Sequence, residues 1–262
     1  MCSIMQQEIN MNRKIVLITG ANRGLGRNAA VKLAAKDRDI ILTYRSHQHE
    51  AQDVVREIES AGGRAVALQL DVGDLSQFDR FMSEVKNALQ QHWQRETFDY
   101  LVNNADHGHY KPFIETTEAE FDALMNVHFK GPYFLTQTLL PAIADGGRIL
   151  NISSGLTRLT YPGSGTYASM KGAMEVLTRY QAKELGERRI RVNILAPGAI
   201  ETDFGGGRVR DDKTVNDTIA ALTALGRVGL PDDIGDAVCA ILSEETSWIT
   251  AQRIEASGGQ AL

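Results

Sequence analysis

Residues 14–26 of the chain read KIVLITGANRGLG, an apolar run followed at once by three closely spaced glycines. The apolar run predicts a short buried strand that ends at Gly20. Gly20, Gly24 and Gly26 let the backbone turn sharply and approach a pyrophosphate, whose charge is met by the N-terminus of the following helix. This spacing is a variant of the dinucleotide-binding fingerprint. The alternative is a tight strand-to-helix turn without a ligand.

Strand and helix patterns alternate along the rest of the chain. Short apolar runs separated by helical periodicity are typical of a parallel sheet covered on both faces. The predicted strands are 14–19, 39–44, 64–70, 98–103, 147–153, 190–196 and 252–255, and the predicted helices are 24–36, 50–61, 75–91, 118–140, 167–186 and 231–242. No composition break marks a linker, so the 262 residues fit one domain. The sequence therefore predicts an α/β fold with a single doubly wound parallel sheet.

The end of the second predicted strand carries the residues that discriminate between two nicotinamide cofactors. An acidic residue there accepts a hydrogen bond from the ribose 2′-hydroxyl of NAD, whereas an arginine accommodates the 2′-phosphate of NADP. This chain has Tyr44, Arg45 and Ser46 at that point, with Arg23 inside the glycine turn. Two cations and no carboxylate favour NADP(H) over NAD(H). The alternative is a pair of solvated surface arginines.

A second motif, Tyr167-Ala168-Ser169-Met170-Lys171, stands at the start of a helical pattern. Positions four apart on a helix share a face, one turn from each other. A free tyrosine has a pKa of about 10, and a lysine charge about 5 Å away favours the phenolate by roughly 3 kcal/mol at an effective dielectric of about 20. We therefore predict that Lys171 lowers the pKa of Tyr167 towards a range useful for proton transfer. On spacing alone, the alternative is an exposed helical pair.

Composition and charge argue against several classes of protein. The formal net charge of -5 has the wrong sign for a nucleic-acid-binding surface. No apolar run approaches the ~20 residues of a membrane span, so we expect no membrane partner. Residues 1–12 are polar, and we expect a flexible leader without a secretory signal, followed by one domain over 13–262. Two cysteines, Cys2 and Cys239, make no disulfide framework, and a reduced cytoplasmic setting is expected.

Taken together, these motifs resemble the short-chain dehydrogenase/reductase family over almost the whole chain. The matching positions are Gly20, Gly24 and Gly26; Asp71-Val72 after the third strand; Asn103-Asn104-Ala105 after the fourth; Asn126 in the long helix; Ser153-Ser154 after the fifth; Tyr167 and Lys171; and Pro197-Gly198 with Thr202 after the sixth. Each motif is common singly, but in this order at these intervals they are highly specific. The resemblance implies a Rossmann-type domain with about seven parallel strands and helices on both faces. It also implies a homo-oligomer, usually a tetramer and otherwise a dimer, and the overall likeness is to 3-oxoacyl-carrier-protein reductases and sugar dehydrogenases such as glucose dehydrogenase.

The resemblance also implies roles for individual residues. Tyr167 would be the general acid in carbonyl reduction or the base in alcohol oxidation, while Lys171 would lower its pKa and bond the nicotinamide ribose. Ser154 would polarise and orient the substrate oxygen, and Asn126 would hold a water that links Lys171 to solvent. The implied cofactor-binding residues are Gly20, Asn22, Arg23, Gly24, Leu25, Gly26, Tyr44, Arg45, Ser46, Asp71, Val72, Asn103, Ala105, Tyr167, Lys171, Pro197, Gly198, Ile200 and Thr202.

The chain departs from the family pattern at four positions. Asp106 follows Asn-Asn-Ala, where glycine is usual. Aspartate tolerates a positive φ better than most residues, so the turn is expected to survive with its carboxylate pointing outward. The alternative is that this carboxylate repels the cofactor phosphates or serves the substrate. Ala251 and Ser257 replace the usual glycine and aspartate, which concerns packing and the oligomer contact more than chemistry, and Met170 is also less usual.

Loop residues frame a predicted substrate pocket. The candidates form a mixed apolar and polar set: His107, Tyr110, Leu156, Leu159, Tyr161 and Phe204. His107 and His109 lie beside Asp106, but no second cluster at ligand spacing accompanies them, so we predict no metal site.

Residues 204–215 are predicted to form a loop that acts as a mobile lid over this pocket. It contains Gly205-Gly206-Gly207, and glycines supply conformational freedom. Arg208 and Arg210 on this segment are interpreted as solvated surface charges, with contact to an anionic substrate as the alternative.

Three functions are compatible with the sequence. The leading hypothesis is an NADP(H)-dependent oxidoreductase that interconverts a carbonyl and an alcohol in a small-molecule substrate. The second is a cofactor-sensing or regulatory protein on the same fold, which Asp106 supports and which the intact Asn126, Ser154, Tyr167 and Lys171 argue against. The third is a structural homo-oligomer. Cofactor binding separates the third from the others, and NADPH oxidation by ketones separates the first from the second.

Overall fold

The computed structural model describes residues 13–262, so the predicted leader at residues 1–12 lies outside the described residues. Seven strands form one sheet: β1 Lys14–Ile18, β2 Arg38–Tyr44, β3 Ala65–Gln69, β4 Phe98–Asn103, β5 Ile143–Ile152, β6 Arg191–Pro197 and β7 Arg253–Ala256. All neighbouring strands are parallel, in the order β3-β2-β1-β4-β5-β6-β7. The predicted doubly wound parallel sheet is confirmed, and the chain order reverses between β1 and β4.

Helices cover both faces of this sheet. They are α1 Gly24–Ala34, α2 Gln48–Ser60, α3 Phe78–Trp93, α4 Glu118–Met125, α5 Gly131–Leu139, α6 Gly165–Glu184, α7 Arg208–Asp211, α8 Lys213–Ala221 and α9 Pro231–Ile241. Buried side chains of α1, α2 and α9 belong to one apolar core, and those of α3 and α5, with Ala182 of α6, belong to another. Tyr167 and Met170 of α6 form a small third cluster with Leu124 of α4. None of the helices within residues 13–262 is both long and apolar enough to cross a membrane.

Strand β1 shows how the two cores share one sheet. Val16 and Ile18 lie in the core beneath α1, whereas Ile15 and Leu17 lie in the core on the other face. This alternation follows from the two-residue period of a strand. All four side chains are 0% exposed, and full burial of each contributes about 1.5–3 kcal/mol of transfer free energy. The carboxyl end of β1 is therefore held firmly at the place where the glycine turn begins.

The helix predicted over 118–140 is interrupted, which corrects the sequence analysis. Between α4 and α5, the backbone of Asn126–Lys130 widens into a turn of π-helix. A Cβ on Gly131 would collide with the carbonyl oxygen of Val72, so the chain after this turn packs tightly against the end of β3. Such turns are frequent at functional sites. This one carries Asn126 at its start and the buried His128.

The segment 204–215 is largely helical, so its prediction as a loop was wrong. A short 3₁₀ turn at Phe204–Gly207 leads into α7 and then α8. Gly205 and Gly206 in that turn have φ of 61° and 76°, which L side chains rarely adopt. Asp212 ends the irregular stretch, because its carboxylate accepts the backbone N–H groups of Thr214 and Val215 and so caps α8.

Candidate active site

The glycine turn is tied to the end of β4 by a set of hydrogen bonds that we call the Thr19–Asn104 latch. Thr19 Oγ1 accepts the N–H groups of Asn104 and Ala105, each at 3.0 Å. The Asn104 amide donates to the carbonyl oxygens of Thr19 at 2.9 Å and Gly20 at 3.1 Å. Gly20 has φ of 63°, and a Cβ there would lie 2.9 Å from the Cα of Ala105. The cofactor set taken from the family resemblance omitted Asn104, although the Asn-Asn-Ala match contains it.

The start of α1 fits an anionic group such as a dinucleotide pyrophosphate. The helix begins at Gly24 without a side-chain cap and without an acidic residue in its first turn, so its first N–H groups face the cleft unneutralised. A Cβ on Gly26 would collide with the Asn104 amide and lie 2.7 Å from the carbonyl oxygen of Gly20. We call the glycine turn and the first turn of α1 the glycine cradle. The cradle requires glycine at position 26, and its backbone N–H donors match the chemistry of a phosphate.

Beside this cradle lie the two predicted cationic residues, Arg23 in the glycine turn and Arg45 just after β2. Arg23 and Arg45 are exposed and line the cleft together with Ser46. A carboxylate that the sequence analysis did not consider lies nearby, because Glu50 of α2 accepts a 2.7 Å hydrogen bond from the amide of Asn22. Both guanidinium groups line the cleft where a ligand phosphate could reach them, while Glu50 already has a hydrogen-bond partner in Asn22.

Helix α6 brings the predicted phenol and ammonium together on its buried face. Tyr167 is 5% exposed and Lys171 is 3% exposed, and the Lys171 Nζ lies 5.4 Å from the centroid of the Tyr167 ring. Lys171 Nζ donates to the carbonyl oxygen of Ile152 at the end of β5. Ser154 follows that strand, and its Oγ accepts the N–H of Leu156 at 3.2 Å, which fixes the hydroxyl at the start of a 3₁₀ turn.

Asp106 points into this site, so the expectation that its carboxylate points outward was wrong. The Tyr167 hydroxyl donates to Asp106 Oδ2 over 2.9 Å, and the Lys171 Nζ lies 2.8 Å from the same oxygen. The residue as a whole is exposed, but its side chain is only 20% exposed. Asp106 does not adopt a positive φ, so the turn here does not demand glycine.

The carboxylate changes the ionisation of the phenol. Burial raises the pKa of Tyr167 well above its usual value, and the charge of Asp106 and its hydrogen bond raise it further, whereas the hydroxyl of Ser154 lowers it. This direction is opposite to the one expected from Lys171 alone. The reason is, first, that burial disfavours the charged phenolate and, second, that the ammonium group pairs with Asp106, which places a negative charge next to the hydroxyl.

A buried histidine that the sequence analysis did not single out completes the surroundings. His128 Nδ1 lies 3.5 Å from Asp106 Oδ1, and its Nε2 lies 3.1 Å from the carbonyl oxygen of His107. The imidazole meets the Tyr167 ring edge-on at a centroid distance of 5.1 Å. Burial lowers the pKa of His128 to about 4, so the ring is neutral at pH 7. Its position depends on the π-helical turn, which no sequence pattern signalled.

A cleft of about 1060 Å³ joins the cradle to Ser154 and Tyr167. Several predicted cofactor residues line the cleft, including Asp71, Val72, Pro197, Gly198, Ile200 and Thr202. Every predicted residue of the substrate pocket also lines it: His107, Tyr110, Leu156, Leu159, Tyr161 and Phe204. Helices α7 and α8 add apolar groups that were not predicted, namely Val209, Val215 and Ile219. Arg208 lines the cleft, whereas Arg210 is bound by Asp203 and Asp211. Across residues 13–262, no group of three or more metal-ligating side chains is arranged to hold an ion.

Some predicted residues are not part of the described cleft wall. Tyr44 and Asn103 are buried in the sheet, and the Asn103 amide donates to Thr136 and Asn151 inside the core. Asn126 and Lys171 lie behind the wall. The structure therefore offers no direct contact surface at Tyr44 or Asn103, while Lys171 reaches the site through Asp106.

Comparisons with known proteins agree with this architecture. A family profile described as enoyl-(acyl carrier protein) reductase matches residues 20–261. A hydroxynaphthalene reductase-like protein of Metarhizium majus is 34% identical over 257 residues, which cover 94% of each chain. The angucycline C-6 ketoreductase LanV with bound NADP has a TM-score of 0.89 at 35% identity and covers 95% of each chain. The reductase LugOII, described as promiscuous and as catalysing keto-reduction at C1 during lugdunomycin biosynthesis, has a TM-score of 0.91 at 36% identity over 97% of this chain and 100% of its own.

The fold and the site define a Rossmann-type oxidoreductase. The chain belongs to the short-chain dehydrogenase/reductase family.

Proposed function

We propose that this protein reduces a ketone to an alcohol with NADPH, and that Tyr167 is the general acid. The observation that carries the proposal is the meeting of three elements in one cleft. The glycine cradle of α1, the hydroxyl of Ser154 and the hydroxyl of Tyr167 all line the same space. A ketone oxygen placed between the two hydroxyl groups would meet two donors where negative charge develops.

Each residue of the site would have one role in the reduction. NADPH, when bound, would supply the hydride that reaches the carbonyl carbon. Ser154 would hold the carbonyl oxygen, because its own Oγ is fixed by the N–H of Leu156. Tyr167 would transfer its proton to that oxygen, since the high pKa of the buried phenol keeps the proton available at neutral pH. Lys171 would bond the nicotinamide ribose, and the water held by Asn126 stays a prediction.

The preference for NADP(H) rests on Arg23 and Arg45. Both residues are exposed and line the cleft, Arg23 in the glycine turn and Arg45 just after β2, where a 2′-phosphate would lie. The carboxylate of Glu50 is held against the glycine turn by its hydrogen bond from Asn22. A solved relative at 35% identity contains NADP, which supports the same choice here.

The shape and chemistry of the cleft favour a flat aromatic ketone as the substrate. Tyr110, Tyr161 and Phe204 line the part of the cleft near the catalytic phenol, and the Phe204 ring lies 5.8 Å from that of Tyr167. Aromatic side chains at these distances stack on planar ligands by offset or edge-to-face contacts. The similar proteins include a hydroxynaphthalene reductase-like protein and an angucycline ketoreductase, which supports a fused-ring substrate.

A screen of NADPH oxidation over a ketone panel tests this function. The panel contains a bicyclic aromatic ketone such as α-tetralone, an acetoacetyl thioester and cyclohexanone, with glucose and NADP⁺ for the reverse reaction. We expect the highest kcat/KM with the aromatic ketone, because only this substrate fills the aromatic part of the cleft. Binding of NADPH without turnover of any ketone would contradict the proposal and favour a cofactor-sensing protein.

We also propose that copies of the chain associate in solution through the outer faces of α4, α5 and α6. Large apolar side chains are exposed there, namely Phe121, Tyr133, Phe134, Val176 and Tyr180, and clusters of this kind mark interaction sites. Tyr180 is 62% exposed, so Tyr180→Glu is expected to lower the mass measured by light scattering without unfolding the chain. Tyr180→Phe is the matched control and should leave the mass unchanged. A monomeric wild type would contradict the proposal.

A further inference from the structure

One carboxylate joins the phenol and the ammonium that the proposed reaction uses. Asp106 Oδ2 accepts the Tyr167 hydroxyl at 2.9 Å and pairs with the Lys171 Nζ at 2.8 Å. The ammonium group is further held by the carbonyl oxygen of Ile152 at 3.0 Å. With a side chain that is 4% exposed, Lys171 is shielded from water, so the pairing with Asp106 is weakly screened. The carboxylate therefore cancels most of the lysine charge at the position of the phenol.

No other group within the described part of the site compensates this carboxylate. Facing the phenol are Asp106 from the segment after β4, His128 from the π-helical turn and Lys171 from α6. The ring of His107 packs on that of His128 at a centroid distance of 4.9 Å. Because a carbonyl oxygen only accepts, the 3.1 Å contact to His107 requires a hydrogen on His128 Nε2. In the neutral ring Nδ1 then carries a lone pair, which faces Asp106 Oδ1 at 3.5 Å and has no hydrogen-bond partner among residues 13–262. Burial lowers the pKa of His128 to about 4, so the imidazole adds no positive charge at neutral pH.

We propose that Asp106 is a positioning residue that keeps the Tyr167 hydroxyl protonated and thereby sets the enzyme to work in the direction of ketone reduction. The effect of Asp106 on the reaction rests on the proposed function. Its effect on the protonation of Tyr167 does not. It stands on the oxygen of Asp106 that Tyr167 and Lys171 share and on the burial of Lys171. The raised pKa of Tyr167, with its contributions from burial and from Asp106, agrees with this geometry.

The consequence differs for the two directions of the reaction. In reduction, the carbonyl carbon gains a hydride from NADPH, the carbonyl oxygen takes the Tyr167 proton, and the phenolate left behind recovers a proton from water. In oxidation, the alcohol loses a hydride to NADP⁺ and its hydroxyl proton must pass to a Tyr167 phenolate. The phenol cannot accept that proton while it keeps its own. Asp106 therefore favours the first direction and restricts the second to alkaline pH.

The sign of the pH dependence follows directly. Reduction needs the protonated phenol, so its kcat/KM is constant below the pKa of Tyr167 and falls above it. Oxidation needs the phenolate, so its kcat/KM rises with pH until that pKa is reached. Removing the negative charge of Asp106 exposes the phenol to the lysine charge, which lowers the pKa. Both breakpoints should then move to lower pH by at least about one unit.

The variant Asp106→Asn tests this inference, because it removes the charge and keeps the shape of the side chain. Tyrosinate absorbance is titrated in the protein without cofactor, and each protein is paired with the same protein carrying Tyr167→Phe, so that the difference isolates one of the 7 tyrosines. We expect no Tyr167 ionisation in the wild type up to about pH 10 and a clear midpoint at lower pH in Asp106→Asn. Asp106→Gly, with the residue usual in the family, should shift the midpoint in the same direction and serves if the asparagine variant does not fold.

The control for this experiment is Asp145→Asn, which makes the same change in an exposed carboxylate near the start of β5. Its titration and its pH profiles should match those of the wild type. A shifted midpoint without any turnover would support the placement of the Asp106 charge and contradict the proposed function. Turnover with unshifted midpoints and unshifted kcat/KM profiles would contradict the role of Asp106 and leave the reductase intact.

Discussion

Replacement of Tyr167 by phenylalanine is expected to lower kcat for ketone reduction by about a thousandfold. The phenol is 5% exposed, lines the cleft and carries the hydroxyl proton that the substrate oxygen would take. The substitution removes one oxygen and leaves the ring contacts with His128 and Phe204 in place. Binding of NADPH, measured by the change in cofactor fluorescence, should therefore change little while turnover is lost.

The matched control for this variant lies on the same helix. Tyr180→Phe makes the identical change at a side chain that is 62% exposed and distant from the cleft, so its kcat should equal that of the wild type. If Tyr167→Phe retains a substantial part of the wild-type turnover, water or another group donates the proton, and the role given to Tyr167 is wrong. Loss of NADPH binding together with turnover would instead indicate that the hydroxyl holds the structure of the cleft.

The second large effect concerns cofactor choice. The double variant Arg23→Ala/Arg45→Ala is expected to lower kcat/KM for NADPH by about 100-fold, because two charge-assisted hydrogen bonds to a phosphate are lost, each contributing about 1.5–3 kcal/mol before solvent exposure weakens them. The value for NADH should stay nearly constant, since its ribose carries no 2′-phosphate. The measurement is the ratio of kcat/KM for NADPH to that for NADH.

Arg27→Ala is the control for the arginine variant. Arg27 lies on the same helix as the glycine cradle and pairs with Glu57, outside the wall of the main cleft. Its removal takes away one positive charge without touching the end of β2, so the ratio should not change. An equal loss with NADPH and NADH in the double variant would show that the arginines maintain the turn and do not recognise the 2′-phosphate.

The sheet could be predicted almost completely from the sequence, because buried parallel strands leave a direct signal. The run in β1 is apolar at every position from Ile15 to Ile18, as expected for a strand covered on both faces. The proximity of Tyr167 to Lys171 could also be predicted from the sequence, since both residues lie on one helix and helical geometry fixes their spacing.

The interruption of the helix after Met125 could not be predicted from the sequence. A π-helical turn changes the phase of the backbone over five residues, and the apolar pattern on either side stays compatible with one continuous helix. The signal that distinguishes them is tertiary: Gly131 packs against the carbonyl oxygen of Val72, at the end of another strand. Sequence periodicity carries no information on that contact.

The orientation of Asp106 is likewise set by tertiary contacts that the local sequence does not reveal. Its two partners in the site, Tyr167 and Lys171, lie 61 and more residues further along the chain. A local view of Asn-Asn-Ala-Asp shows only a polar turn residue, for which solvent is the ordinary surrounding. The inward orientation is selected by the ammonium group of Lys171, because a buried cation is costly unless a carboxylate neutralises it.

The Thr19–Asn104 latch has a consequence for the order in which the protein matures on the ribosome. The glycine turn is complete early in synthesis, but its partners Asn104 and Ala105 follow 85 and 86 residues later. A nascent chain that has not yet emerged past β4 therefore lacks the hydrogen bonds that shape the turn, and closing such a long segment is slow. The glycine cradle can therefore take its final shape only after β4 has emerged and paired with β1, and not from the first strand and helix alone.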